Sequence, residues 1–497
     1  MNHSRKPISW IFLNFMVAVL VGLTGCLPPD LVPADVSAQS QPEIPTATPE
    51  ILSTPLPTRP AYSPGELVDY VAQTGDTLPA IAAHFNTSVQ EIRAANTFIP
   101  VDATTMPPGM PMKIPIYYQA LWGSAYQIIP DSVFINGPSQ VGFDTAAYVK
   151  SRPGWLRNYS DYVADRNRSG AEIVDFVATN YSVSPQLLLA LLDYQVQALS
   201  DPQPPTDLSA YPLGEVNTSS TTLYRQLAWA ANVLNNAYYA YRQGQFSELN
   251  LPDGRLERID PWQNAATAAL HYYFTLHQSV DGYTRAVSPE GLAQTWKNLF
   301  GDPWSVPPHI PGSLHQPEFR LPFEPGKTWA FTGGPHNPWG DGSPLAALDF
   351  APPSVVGGCA TTDEFATAIA SGVVVRNATG IAVLDLDGDG DERTGWVIFY
   401  LHLASNGMAT VGTKLAAGQP IGHPSCEGGQ ATGTHVHIAR KYNGEWIPAD
   451  GTLAFNLEGW VVRAGSAAYQ GYLVRQGRTI TACVCSDRSS QLQSDFR

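Results

Sequence analysis

Four short segments in the last third of the chain restrict its folds more than any other feature: Gly334-Pro335-His336, Leu348-Asp349-Phe350, Tyr400-Leu401-His402-Leu403 and Gly433-Thr434-His435-Val436-His437. Neutral imidazoles and a carboxylate are ligands for Zn²⁺, and an open catalytic site takes three of them plus a water. Side chains at i and i+2 of a strand share a face, so an extended 435–437 turns His435 and His437 toward one site. His336 and Asp349 lie thirteen positions apart, far enough to come from two converging segments. The expected domain is antiparallel β, with strand character in residues 366–376, 396–403, 435–441 and 446–447. Asn443-Gly444 between the last two is a strong type I′ hairpin pair.

The set resembles the lysostaphin-type (M23) cell-wall metallopeptidases, in the β-lytic, staphylolytic branch, over roughly residues 318–465 of a domain spanning 318–497. Most of that family places its first ligand four residues before the aspartate, where this chain has Leu345. The β-lytic branch carries it about a dozen residues earlier in a G-x-H segment, which His336 matches. Residues 426–437, from Cys426-Glu427-Gly428-Gly429 to His437, are similar to that branch's CEGG…TGPHLH signature, with Thr434 in place of proline. The resemblance implies His336, Asp349 and His437 as ligands of one zinc ion, and His402 and His435 as acid/base histidines beside it. His315 and His423 match no motif and read as loop residues.

Arg5 and Lys6 precede an apolar run over residues 10–23, too short for a comfortable membrane span and shaped as a signal segment. It ends at Leu23-Thr24-Gly25-Cys26, which resembles a bacterial lipobox and implies a lipoprotein signal segment over residues 1–26, cut before Cys26 so that the lipidated cysteine becomes the first mature residue. The expected location is the cell envelope, outside the cytoplasm and anchored to a membrane. Residues 27–66 are rich in proline, serine and threonine and read as an extended tether. Four cysteines remain after Cys26, and an even number in an exported chain suggests disulfides. They allow three pairings; the resemblance favours Cys359 with Cys426, and Cys483-Val484-Cys485 has no assigned role. The net charge of −15 argues against a nucleic-acid partner.

Residues 67–117 read strand, helix, helix, strand and resemble a LysM module, through Gly75-Asp76-Thr77-Leu78, Ala94-Ala95-Asn96 and the ending Gly109…Ile114-Pro115. The resemblance implies binding of N-acetylglucosamine-containing glycan, through Gly75, Asp76, Thr77 and residues around Asn96. A linker over 118–139 leads to a mostly helical region over 140–304. Ser169…Glu172 is a capping box and Ser184-Pro185 a helix start, while a last helix is expected from Ser288-Pro289 to Gly301. This region is weakly similar to the lysozyme-like fold of lytic transglycosylases, but Gln195 stands where their catalytic acid falls, so it reads as non-catalytic.

Residues 385–391 begin like an EF-hand loop, which makes Asp385, Asp387 and Asp389 candidate Ca²⁺ ligands. Position twelve is Trp396, where calcium loops need a bidentate glutamate, so an acidic hairpin tip is the favoured reading. The chain as a whole is expected to be a lipid-anchored zinc endopeptidase acting on peptidoglycan, with both glycan and peptide as partners. The alternative is a non-catalytic wall-binding or hydrolase-activating lipoprotein.

Overall fold

The computed structural model describes residues 61–497 apart from 204–210, 218, 220, 355, 486, 496 and 497. The signal segment, Cys26 and residues 27–60 of the tether lie outside the described residues. Among the described residues no helix is long and apolar enough to cross a membrane.

The LysM-like module consists of β1 (Glu66–Val71), α1 (Leu78–His84), α2 (Val89–Ala95) and β2 (Pro111–Ile116). Its strands pair antiparallel with Val68 opposite Ile114 and Tyr70 opposite Met112, so their alternate buried residues share one face. Thr77 caps α1 and Ser88 with Glu91 forms a capping box on α2, which satisfies N–H groups that a helix start leaves orphaned. Ile81, Phe85 and Ile92 fill the space between helices and strands.

The helical region is built on α3 (Gly170–Tyr181), α4 (Pro185–Val196), α5 (Leu223–Arg242), α6 (Ala265–Thr275) and α7 (Leu292–Phe300). Helix α4 carries Pro185 at its first turn and buries all of residues 187–192, as an all-round apolar helix must. Helix α7 starts at Leu292 and not at Ser288-Pro289: the Ser288 hydroxyl bonds Arg285 O at 2.9 Å and so closes the preceding helix.

The C-terminal region is a nine-stranded antiparallel sheet. Its strands are β3 (Thr328–His336), β4 (Ala347–Ala351), β5 (Gly372–Ala378), β6 (Ile381–Asp385), β7 (Trp396–Leu401), β8 (Lys414–Leu415), β9 (Val436–Tyr442), β10 (Glu445–Trp446) and β11 (Gln491–Gln493). They lie in the order β8-β5-β6-β7-β9-β4-β3-β11, with β10 folded back on β9 through Asn443-Gly444. Both turn residues have positive φ, 47° and 80°, as a type I′ turn requires. The expected strand over 366–376 is broken: Ala366–Thr367 pairs with Pro420–Gly422, and the chain joins the main sheet only at Gly372. Between them the Ile369 N–H goes to the Tyr400 hydroxyl at 2.8 Å and not into a ladder.

The two faces of this sheet meet different partners. Along β7, Ile398 and Tyr400 enter the sheet's own core with Phe331, Phe350 and Ile438. Val397, Phe399 and Leu401 point the other way, into a core shared with Leu234, Tyr238 and Tyr239 of α5. All six residues of β7 are buried, so the period-2 alternation of side chains delivers apolar groups to both cores. Each such burial contributes roughly 1.5–3 kcal/mol. A polar node crosses the same boundary: Glu445 accepts from Arg242 at 2.9 Å and Tyr238 at 3.0 Å, and lies 2.7 Å from His309 Nε2. Burial pushes the Glu445 carboxyl up, but Arg242 and His309 outweigh it and hold it at about 2.

Candidate metal centre

Three neighbouring strands carry the candidate ligands. His336 ends β3, Asp349 lies in β4 and His437 in β9. The register sets Asp349 opposite His437 on one side and Gly333 on the other. A Cβ at Gly333 would lie 2.4 Å from Asp349 Oδ2, so only glycine leaves room for the carboxylate. His336 and His437 are about 1% and 4% exposed, and Asp349 7%.

His336 Nδ1 donates to Gly334 O at 2.8 Å, because a carbonyl can only accept. In the neutral ring Nε2 is then a bare lone pair, 3.0 Å from His437 Nδ1 and 3.3 Å from Asp349 Oδ1. His437 Nδ1 is 3.3 Å from the same carboxylate oxygen. Asp349 Oδ1 is buried without a hydrogen-bond partner. Three donor atoms facing one point with an orphaned carboxylate oxygen fit a zinc ion, since a tetrahedron of ligands at about 2.0–2.1 Å has edges of about 3.3 Å. Burial pushes the Asp349 carboxyl up, yet His336 and His437 hold it well below the usual carboxylate range, so it stays ionised. Burial lowers the His437 pKa and keeps that imidazole neutral.

His402 and His435 sit beside this triad, their rings 4.5 Å apart. His402 follows directly on β7 with φ of 63°, a left-handed conformation that costs a non-glycine residue on the order of 1 kcal/mol. Its carbonyl accepts from Ser425 N–H at 2.6 Å, which helps to hold that bend. His402 Nδ1 donates to Glu427 O at 2.9 Å and His435 Nδ1 to Gly433 O at 2.8 Å, which leaves both Nε2 atoms bare. Burial, with His435 and His437 nearby, lowers the His402 pKa to about 4. All five side chains line one cavity of about 800 Å³.

Sequence reasoning missed two lining groups. Tyr469, with φ of 68°, stacks on His336 at 4.2 Å between ring centroids. Nothing local marks it, because its partner is far away in the chain. Val484 stands 86% exposed at the cavity rim, between Cys483 and Cys485, which are disulfide-bonded to each other. The second disulfide joins Cys359 to Cys426 and ties together two loops near the cavity.

The remaining candidates lie elsewhere. Asp76 is half-buried, accepting from the Tyr70 hydroxyl at 2.6 Å and Gln73 N–H at 2.7 Å, and its partial desolvation raises its pKa to about 6. Asn96 is 2% exposed and bridges α2 to β2 through Ile92 O and both backbone groups of Lys113. Gly75 abuts the Arg242 guanidinium. Asp385, Asp387 and Asp389 gather within 4.8 Å in the β6–β7 loop, but Asp385 already accepts from the N–H groups of Asp387, Gly388 and Gly390. Gln195 in α4 accepts from the Tyr273 hydroxyl at 2.6 Å and lies 3.0 Å from His277 Nε2, beside a cavity of about 540 Å³.

A two-His, one-Asp donor set on three adjacent strands of an antiparallel sheet, flanked by two further histidines, defines a metallopeptidase. The chain belongs to the family of the beta-lytic metalloendopeptidases. It is 30% identical over 172 residues to the beta-lytic metalloendopeptidase of Lysobacter enzymogenes, covering 32% of this chain and 89% of that one. It is 26% identical over 377 residues to protease LasA of Pseudomonas aeruginosa, covering 71% and 83% respectively. Residues 127–314 match the LasA N-terminal domain and residues 70–115 the LysM domain. Among solved structures, the M23 metalloprotease pseudoalterin is 25% identical with a TM-score of 0.29, covering 34% of this chain and 96% of that one.

Proposed function

We propose that this chain is a zinc endopeptidase that cuts the peptides or cross-bridges of peptidoglycan, anchored to a membrane through lipid on Cys26. The observation that carries the chemistry is the convergence of His336, Asp349 and His437 with two bare Nε2 atoms beside them. His336 Nε2, His437 Nδ1 and Asp349 Oδ1 would hold the zinc ion, which when bound would supply an acidified water and polarise the scissile carbonyl. His435 Nε2, 3.7 Å from Asp349 Oδ1, takes the proton of the attacking water. His402, kept neutral by its burial, offers its bare Nε2 as an acceptor that orients the attacking water, and the proton taken up by His435 would pass to the leaving amine. Tyr469 holds the His336 ring in place and Val484 borders the substrate cleft.

Wall peptide as the substrate is supported by the LysM match beside a peptidase: glycan held by one module raises the local concentration of its attached peptides at the other. The helical region is read as non-catalytic because Gln195 has no proton to donate to a glycosidic oxygen. Of the nearby acids, Asp193 is engaged by Leu199 N–H and the Ser200 hydroxyl, and Glu172 by its capping box. The test is digestion of purified peptidoglycan by the zinc-loaded chain. New amino termini that disappear with a chelator are expected; their absence, or new reducing sugar ends that survive chelation, would overturn the proposal.

A further inference from the structure

Residues 309–314 run between the peptidase domain and the LysM module and bond to each through different atoms. The Ile310 and Leu314 side chains and the His309 carbonyl face the peptidase domain. Ile310 and Leu314 close an apolar cluster with Trp396 and Ile447, and Asn443 Nδ2 donates to His309 O at 2.6 Å. Their backbone is turned to the LysM module. Ile310 N–H donates to Thr74 Oγ1 at 2.8 Å, and the Thr105 hydroxyl donates to Pro311 O at 2.7 Å. Leu314 N–H donates to Thr105 Oγ1 at 3.0 Å, Ser313 N–H to Thr105 O at 2.8 Å, and the Thr104 hydroxyl to Leu314 O at 2.6 Å. Gly312 runs so close to Pro107 that a Cβ there would lie 2.5 Å from the proline ring. Thr74 and Thr105 are 9% and 2% exposed. They lie in the two loops, after β1 and between α2 and β2, that the glycan reading uses.

We infer that the chain's own 309–314 backbone occupies the recognition face of the LysM module, and that N-acetylated glycan binds there only when the module lifts off it. The inference rests on the glycan reading of that module. The chemistry of the two occupants is alike. An acetamido group offers one planar N–H and one C=O, the same pair that the peptide units of 309–314 offer, apart from the one ending at Pro311, which has no N–H. Thr74 Oγ1, Thr105 Oγ1 and Thr105 O satisfy one occupant or the other, not both. The closed form has further support, because Gln73 Nε2 donates to Trp262 O and Gln263 O, and Trp262 Nε1 donates to Asp69 O at 2.9 Å. Apparent glycan affinity is then the intrinsic affinity reduced by the open fraction.

The test uses the full chain and the variant Gly312→Val, which wedges the segment off Pro107 without touching the peptidase site. Each is titrated with an N-acetylglucosamine hexamer by calorimetry, and the Ile310, Ser313 and Leu314 amides of the wild type are followed by hydrogen exchange. Binding tightened by about tenfold or more in Gly312→Val is expected, with wild-type amides protected in the free chain and exposed at saturating hexamer. Equal affinities, with the amides still protected at saturation, overturn the competition and leave the glycan reading intact. Amides that exchange freely in the free wild type overturn the inference whatever the glycan does. No binding by either protein removes the glycan reading and the inference with it. Should Gly312→Val fail to fold, the wild-type exchange data decide alone.

Discussion

Among the described residues, the buried charged clusters around Glu445 and Asp349 differ in what they lack. Around Glu445, the carboxylate finds Arg242, His309 and Tyr238 within 3.0 Å and is fully engaged. Around Asp349, two imidazoles and a carboxylate face one another, and the carboxylate's Oδ1 has no hydrogen-bond partner. Burying polar groups is tolerable only when they are satisfied. The carboxylate of the first cluster is satisfied and joins two domains; that of the second is not and calls for a cation.

The contrast is broken most severely by His437→Ala. Loss of bound zinc and of peptidoglycan-peptide hydrolysis to background is expected, with the fold retained; metal analysis and circular dichroism check it. His402→Ala sharpens the division of roles. It should keep one zinc per chain while turnover falls by roughly 10²–10⁴, the usual worth of a positioned acid/base group. At the Glu445 cluster the readouts exchange places. Glu445→Ala leaves Arg242 buried with a lost counter-charge and should destabilise the chain by about 3–5 kcal/mol in denaturant unfolding, while the folded variant still binds zinc. The same carboxyl sets a pH dependence. Its pKa is depressed to about 2 in the folded chain, so its stabilisation is present above the ordinary carboxyl range and is lost as pH falls toward 2. An acid titration of stability should therefore fall less steeply in Glu445→Gln than in the wild type. The smallest effect is expected from Gln195→Ala, which should leave wall-peptide hydrolysis within about twofold, since that amide contacts neither cluster.

The metal-site candidates were legible in sequence because their chemistry is rare and local spacing aligns them: His435 and His437 at i and i+2, His336 beside glycines, Asp349 between apolar neighbours. The helices of the middle region were legible from caps such as Ser169 and Ser184. The Glu445 node was not, because Arg242 and Glu445 are 203 positions apart and neither carries a local pattern. For the same reason the second apolar face of the sheet went unread. Residues 396–401 are apolar throughout, but the sequence does not say that α5 covers Val397 and Phe399. The break in the 366–376 strand depends on the Tyr400 hydroxyl, equally remote in the chain.

The three candidate ligands stand on adjacent strands whose backbones are already hydrogen-bonded to one another, with His437 paired to Asp349 and His336 paired to Ala347 beside it. A zinc finger assembles its ligands only as the ion arrives, so metal and fold are gained and lost together. Here the ladder fixes the spacing of the donors independently of the ion. Stripping the metal should therefore leave a folded, inactive protein whose site refills without a folding step. The exchange rate would then be governed by shedding water at a rigid, preformed cup, and the switch between dormant and competent enzyme by metal supply alone.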